Sequence, residues 1–347
     1  MVPNRWRIPD VETDSPEAYY DTAFEFRWTA LPCLDLLWLA PSLPGIVQAL
    51  AFYIEVITFT VAAVVYTLTR RPDVVYTRSL LLGTVGTLLL RCPVVLEVHR
   101  GPPGGIVGQV AQRGFNRLHY IVAISDGLRS DWDTRTDTRI LVAPDAVDPD
   151  RFDIDKVRTD VRTEFCLPTD HPVITYVGSL QAWKGVDTLI GAARMLTDVT
   201  ICIVGGWETQ QAELRRRAGP IPSNVRLVGH VEPEVVPRHL YASDVLVIPN
   251  TATDTLASRY TSPLKLFEYM AAERPIVASD IPAIREIVGE REVYFAAPDD
   301  PAALARTVET VLSAPDAPDR ARQARERVIE LHTWTRRAET IMAVLDS

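Results

Sequence analysis

The 347-residue sequence predicts an α/β protein built of two Rossmann-like, doubly wound domains. Three observations carry that expectation. Short aliphatic and β-branched runs alternate with helix-patterned segments along both halves, as in parallel sheets with helices on both faces. Turn chemistry at Pro144–Phe152 and a polar stretch over 150–170 separate the halves. Glycine- and proline-marked loops follow several strands, at the end where open parallel sheets bind ligands. The boundaries expected are 1–155, 156–320 and a helical tail over 321–347, which is expected to pack back on the first domain.

In chain order, residues 1–28 are polar and charged, without a secretory leader pattern. Leu43–Leu68 is mostly apolar and ends at Arg70 and Arg71, long enough to cross a bilayer. Gln48 and Glu55 interrupt it, and a strand begins just beyond Asp73. A helix buried against the sheet is therefore expected; a face lying on a membrane surface is the second reading and a span the third. Strands are expected at Val74–Thr77, Val94–Val98, Tyr120–Ile124 and Ile140–Ala143. Helices are expected near Leu80–Leu90, Val107–Leu118 and Asp126–Trp132. The second half repeats the pattern, with strands at Val173–Val177, Thr200–Val204, Val225–Leu227, Val245–Ile248, Pro275–Ala278 and Val293–Phe295. Ala317–Leu345 is helical in pattern.

The composition narrows the function classes. Apolar residues make up 47%, enough for real cores, and the formal net charge of −9 argues against a nucleic-acid binder. Cys33, Cys92, Cys166 and Cys202 are scattered without metal-ligand spacing, as expected of free thiols in a reducing compartment. Asp148-Pro-Asp150 and Asp153-Ile-Asp155 have the form of a metal-binding pair but fall in turn and linker sequence, so no metal site is expected. The run Arg215–Arg217 reads as a solvated helix end. Arg78, at a strand end, is a candidate for the ligand-binding side.

Residues 261–280 are the most informative. Ser262 is a good helix N-cap, with Pro263 at the first helical position. A helix start offers free N–H groups and partial positive charge to a phosphate. Lys265 adds a full charge in the first turn, and Glu268 follows one turn on, where a carboxylate can accept hydrogen bonds from ribose hydroxyls. A second segment, Val173-Ile-Thr-Tyr-Val-Gly-Ser-Leu-Gln-Ala-Trp-Lys-Gly-Val-Asp, reads as strand, glycine loop and helix. Gly178 and Gly185 bracket a loop that brings backbone and Lys184 close to an anion. Only three of the 36 basic side chains are lysines, and two of those three, Lys184 and Lys265, fall in these segments. A compact ammonium fits where a forked guanidinium does not.

These segments resemble the retaining family-4 glycosyltransferases of the GT-B fold. The matching stretches are Gly178-Ser-Leu-Gln-Ala-Trp-Lys-Gly-Val-Asp, Val204-Gly-Gly, Val225-Arg-Leu-Val-Gly-His-Val, Ala242-Ser-Asp-Val-Leu-Val-Ile-Pro and Ser262–Asp280. In the first half Ala123-Ile-Ser-Asp-Gly-Leu, Pro144-Asp-Ala-Val-Asp and Asp150-Arg-Phe match as well. The resemblance implies two domains facing across a cleft and a sugar-nucleotide donor as co-substrate, with neither cofactor nor metal. It implies a diphosphate held by Gly178, Ser179, Lys184, Gly185, Ser262, Leu264 and Lys265. Glu268 would hold the ribose, and Gly229, His230 and Val231 would lie near the base. His99 would face the donor sugar as the catalytic polar group. The reaction implied is transfer with retention by front-face attack, the leaving diphosphate taking the acceptor proton. Lysine and a helix terminus suit the charge on that leaving group.

Two departures matter. The family's first glutamate falls at Tyr260, and the arginine of its glycine loop has no counterpart beside Ser179. Lys265, in the Ser-Pro-Leu-Lys-Leu-Phe-Glu form of a family subset, is expected to compensate for that arginine, and Arg259 is a second substitute. The usual opening strand and glycine loop are not visible in residues 1–30, so the first domain is expected either to lack its first strand or to fill it from another segment. The acceptor expected is a lipid-linked or envelope glycan, met by a cytoplasmic enzyme peripheral to the inner membrane face through residues 43–68. A catalytically silent sugar-nucleotide-binding subunit and a sugar-nucleotide epimerase remain as alternatives.

Overall fold

The computed structural model describes residues 1–3, 27, 29–36, 44–260 and 262–345. Residues 4–26, on which much of the N-terminal expectation rests, and Thr261 lie outside the described residues. The chain forms two compact units, one of Met1–Ala123 with Leu128–Val142, the other of Ile124–Gly127 with Ala143–Ser347.

In the first unit β1 (Val2–Pro3) pairs in parallel with β2 (Ala30–Leu31). Helix α1 (Gly45–Arg70) follows. Then come β3 (Val75–Thr77), α2 (Leu80–Leu89), β4 (Val94–Val98), α3 (Gly105–Phe115), β5 (Tyr120–Ala123), α4 (Asp126–Asp133) and β6 (Ile140–Val142). The four strands β3 to β6 form one parallel sheet in sequential order. Ser79 starts α2 by accepting the Leu82 N–H at 3.3 Å, the short polar cap expected before an apolar helix.

Helix α1 does not take the buried place that its apolar composition suggests. The side chains it buries are small or polar: Ala51, Glu55, Thr60, Ala63, Val64 and Thr67. Thr60 and Thr67 return their hydroxyls to the Val56 and Ala63 carbonyls at 2.7 Å each. Ile46, Leu50, Tyr53, Ile57, Val61, Val65 and Leu68 face outward, at steps of three and four residues. The physical reason is close packing: Ala63 and Val64 pack with Leu31 and Leu82, and that narrow contact takes small side chains and leaves the bulky ones outside.

The second unit begins with a 3-10 turn at Pro149–Phe152 and α5 (Arg158–Glu164). Its strands are β7 (Val173–Val177), β8 (Thr200–Val204), β9 (Val225–Gly229), β10 (Val245–Ile248), β11 (Ile276–Ser279) and β12 (Tyr294–Ala296). The helices are α6 (Val186–Ala193), α7 (Glu208–Ala218), α8 (Val236–Tyr241), α9 (Leu264–Ala271), α10 (Pro282–Arg285), α11 (Pro301–Ser313), α12 (Ala317–Leu331) and α13 (Trp334–Leu345). Strand order is β12-β11-β10-β7-β8-β9, parallel throughout. Winding reverses between β7 and β10.

Alternation along the strands explains the two cores of this unit. Val173, Val177, Cys202, Val204, Leu246, Ile248, Ile276 and Ala278 point to one layer, with Phe267, Met270, Ala324 and Val328. Ile174, Tyr176, Ile201, Ile203, Val245, Val247 and Val277 point to the other, with Leu189, Ile190, Leu304 and Val308. Cys202 is accordingly an inert core thiol, its pKa pushed up by burial to about 11. The tail breaks into two helices at His332 and Thr333. Both join this unit: Val147 N–H donates to the His332 carbonyl at 3.0 Å, and Arg337 Nε to the Pro144 carbonyl at 2.8 Å.

Candidate donor-binding site

Where the winding of a parallel sheet reverses, the strand ends splay apart and leave a crevice. In the second unit that place is the C-terminal end of β7 beside β10, and most of the candidate residues lie there. β7 is followed by Gly178, at φ 148°, whose N–H donates to the Val204 carbonyl at 2.9 Å. A Cβ on Gly178 would stand 3.0 Å from Tyr176 Oη and 3.1 Å from Lys265 Nζ. The loop then makes a 3-10 turn over Ala182–Lys184 and passes into α6 through Gly185, at φ 69°.

Gly185 has no room for a side chain: a Cβ there would fall 1.7 Å from the Pro249 carbonyl oxygen at the end of β10. Gly185→Ala is therefore expected to lower the melting temperature by at least about 2–4 °C, the shift that roughly 1 kcal/mol produces in a domain of this size. Gly219→Ala, at φ 74° but with open space around it, isolates the backbone component. Thermal denaturation of the two variants should place Gly185→Ala well below Gly219→Ala.

Lys265 is 7% exposed. Its Nζ donates to Tyr176 Oη at 2.9 Å and stands 4.0 Å from the centre of that ring. Tyr176 Oη in turn donates to the Ser179 carbonyl at 2.7 Å. Burial holds the ammonium pKa of Lys265 well below its ordinary value; the neighbouring charge of Lys184 lowers it further, and Glu268 opposes both. Lys184 Nζ rests 3.7 Å above the Trp183 ring, and burial brings its pKa down to about 8. Glu268 is half-buried; the surrounding protein raises its carboxyl to about 7, against the pull of Lys265 and Arg151. Lys184, Lys265 and Glu268 thus share one neighbourhood, with Gly178 and Ser179 against it.

The helix start differs from the expectation. α9 begins at Leu264 with Pro263 at the cap position and no side-chain cap. Ser262 does not cap it, because its Oγ accepts the Asp145 N–H at 2.8 Å. The serine ties the helix entry to the Pro144–Asp148 turn instead. Leu264 is exposed at the first position of the helix.

At the ends of β8 and β9, Gly205 N–H donates to the Gly229 carbonyl at 2.6 Å. His230 stacks on Trp207 with ring centres 4.0 Å apart, and Val231 packs against the core below. His99 belongs to the first unit, one residue beyond β4. Its Nε2 lies 2.5 Å from Glu97 Oε1.

Several groups lay outside the sequence reading. Tyr176 carries Lys265, and the available signal was a lone phenol inside an aliphatic strand. Arg151 acts on Glu268 but entered only as part of the motif Asp150-Arg-Phe. Arg217 is not simply solvated: it donates to the Leu180 carbonyl and to Asp187, both at 3.1 Å, and braces the glycine loop. The Glu286 carboxylate accepts the Asp126 N–H. Asp148 accepts the Asp150 N–H at 3.3 Å, and Asp153 pairs with Arg325. Among the described residues no cluster of three His, Cys, Asp or Glu has metal-holding geometry.

Residues 171–314 match the family model described as glycosyl transferases group 1. That stretch is similar to a group 1 glycosyltransferase domain. The chain is 27% identical over 309 residues to alpha-maltose-1-phosphate synthase of Mycolicibacterium smegmatis, covering 76% of this chain and 75% of that one. It is 26% identical over 270 residues to phosphatidyl-myo-inositol mannosyltransferase of Mycobacterium tuberculosis, covering 74% and 68%. Among solved structures it resembles Anabaena Alr3699/HepE in complex with UDP-glucose, with TM-score 0.71 and 17% identity over 92% of this chain and 86% of that one. Sucrose-phosphate synthase from Thermosynechococcus elongatus superposes with TM-score 0.70 at 20% identity, over 84% and 77%. These likenesses establish the two-Rossmann GT-B fold.

Proposed function

We propose that this glycosyltransferase moves a sugar, with retention, from a nucleotide diphosphate donor to a lipid-linked or envelope glycan acceptor. The observation that supports it most directly is the buried Lys265 with the half-buried Lys184 beside Glu268, at the crevice of the second sheet. Two ammonium groups in a poorly hydrated place repel each other, and a pyrophosphate relieves that repulsion on binding. The same charges then stabilise the leaving diphosphate, which is where negative charge develops. Gly178, Ser179, Gly185 and the backbone at Ser262 and Leu264 complete the cradle. Glu268 accepts hydrogen bonds from the ribose, and Gly229, His230 and Val231 lie on the side of the base. His99 offers a polar group to the reacting sugar. The leaving oxygen takes the acceptor proton, so the step runs without a protein nucleophile and without a metal.

The acceptor class is supported by α1 and by a relative. The outward stripe of α1 ends at Arg70 and Arg71, and an apolar stripe flanked by cations suits an anionic lipid surface. The mannosyltransferase relative acts, by its name, on phosphatidyl-myo-inositol. The working position is then cytoplasmic, on the inner face of the membrane.

A melting-temperature screen against sugar nucleotides, followed by product analysis with anionic vesicles and chelator present, tests the proposal. A stabilising donor, transfer that persists in chelator, and a retained anomeric configuration are expected. Absence of transfer with every donor that stabilises the protein would refute it.

A further inference from the structure

A cluster of polar side chains in the first unit surrounds His99, and Glu97 is the member of it that the donor-site reading leaves without a role. Tyr76 on β3 stands opposite Val95 on β4, and Thr77 opposite Leu96. Side chains alternate faces along a strand. Tyr76 therefore shares a face with Val95 and Glu97, and His99 continues that face one step past the strand. Leu96 points to the other face, where it packs against Gly83 of α2. The cluster thus lies on the side of the sheet away from α2.

Glu97 is at its centre and is 6% exposed. A carboxylate so far from water is costly unless it is hydrogen-bonded and paired. Tyr76 Oη donates to one oxygen. His99 Nε2 lies 2.5 Å from the other, and Arg78 Nε 3.7 Å from that same oxygen. A recess of about 340 Å³ opens beside them, lined by Arg78, Glu97, His99, Arg100 and Trp132 among others. Its wall is held in place, because Trp132 Nε1 donates to the Arg100 carbonyl at 2.9 Å and meets the Phe115 ring edge-on.

We propose that Glu97 is a positioning residue for His99: it accepts the Nε2 proton, holds the neutral ring in that tautomer, and leaves Nδ1 to accept a hydrogen bond from a sugar hydroxyl. The proposal rests on the reading of His99 as a group at the reacting sugar. The reason is the chemistry of the neutral imidazole: it carries one ring proton, so when one nitrogen donates the other is an acceptor, whereas in imidazolium both would donate. A nitrogen lone pair suits a hydroxyl and repels a phosphate oxygen. Glu97 thereby decides which kind of group His99 can bind, without touching substrate itself.

Long-range 1H–15N spectra of the histidine-labelled full chain report the tautomer, with His99→Ala assigning the signal among the six histidines. Wild-type His99 is expected to show the proton on Nε2. Glu97→Gln keeps an oxygen acceptor, so it should keep that tautomer and remain within about tenfold of wild-type transfer. Glu97→Leu removes the acceptor, so the ring should shift to a tautomer mixture. Its transfer should fall with that of His99→Ala, about 10²-fold, and the double variant should be no worse than His99→Ala alone. A proton on Nδ1 in the wild type, full activity of Glu97→Leu, or additive losses in the double variant would each overturn the proposal. If no donor supports transfer, the functional reading fails, and the wild-type and Glu97→Gln spectra still decide this one.

Discussion

Lys265→Met is expected to lower the kcat of sugar transfer by about 10²–10³-fold, the usual consequence of removing one well-placed donor to a developing oxyanion. The same variant is expected to melt higher than the wild type. Lys265 Nζ is buried against Tyr176, and Lys184 repels it, so the ammonium costs folding free energy while the donor is absent. Methionine fills nearly the same volume without a charge. Exchanging a buried charge for apolar volume is often neutral or stabilising by about 1–4 kcal/mol. Tyr176 keeps its donation to the Ser179 carbonyl, so the exchange orphans no donor. Steady-state kinetics together with thermal denaturation check this. A residue with a purely structural role would lose activity and stability together; a fall in both would remove Lys265 from the leaving-group site.

Glu268→Ala is expected to lower kcat/KM by about 10²-fold or more. Two ribose hydroxyls donating to a carboxylate are worth roughly 1.5–3 kcal/mol each. Inorganic pyrophosphate, which has no ribose, should bind the variant and the wild type alike, and that comparison is the check. Equal turnover of variant and wild type would refute the role.

Stability adds a second readout at Glu268. Its carboxyl titrates at about 7 in the folded chain against an ordinary 4.5. The folded state therefore holds the proton more tightly than the unfolded state, so the group stabilises the fold at low pH. That contribution is lost as pH rises from about 4.5 through about 7. Glu268→Gln should accordingly melt above the wild type at pH 8 and lose that advantage below pH 4.5. Melting curves across this range, without nucleotide, read the difference.

The second unit was largely legible because its strands are short apolar runs bounded by turn residues. Val173–Val177, Thr200–Val204 and Val245–Ile248 coincide with the expected runs, and period-two alternation between two cores is the reason they read so clearly. That Lys184, Lys265 and Glu268 would lie near one another was legible from residue type and spacing. The partners that tune them were not. Tyr176 meets Lys265 across 89 positions of sequence, and such a contact depends on strand order. Ser262 had the residue type of a cap, yet a competing backbone donor, Asp145 N–H, took its hydroxyl.

Helix α1 marks the limit of composition. Its length and apolarity were plain, but which face turns inward depends on the room available at the contact, and small side chains won that contact.

Taken alone, the order of residues determined the kind of fold, the repeated strand–helix units and which side-chain types stand at the ends of the strands. Those properties are local: they follow from propensity, alternation and turn chemistry within a few residues. Only the tertiary structure decided which lysine is buried, what Glu97 holds and which side of α1 meets solvent. Burial, charge coupling and packing are set by neighbours distant in sequence, and only the folded chain brings those neighbours together.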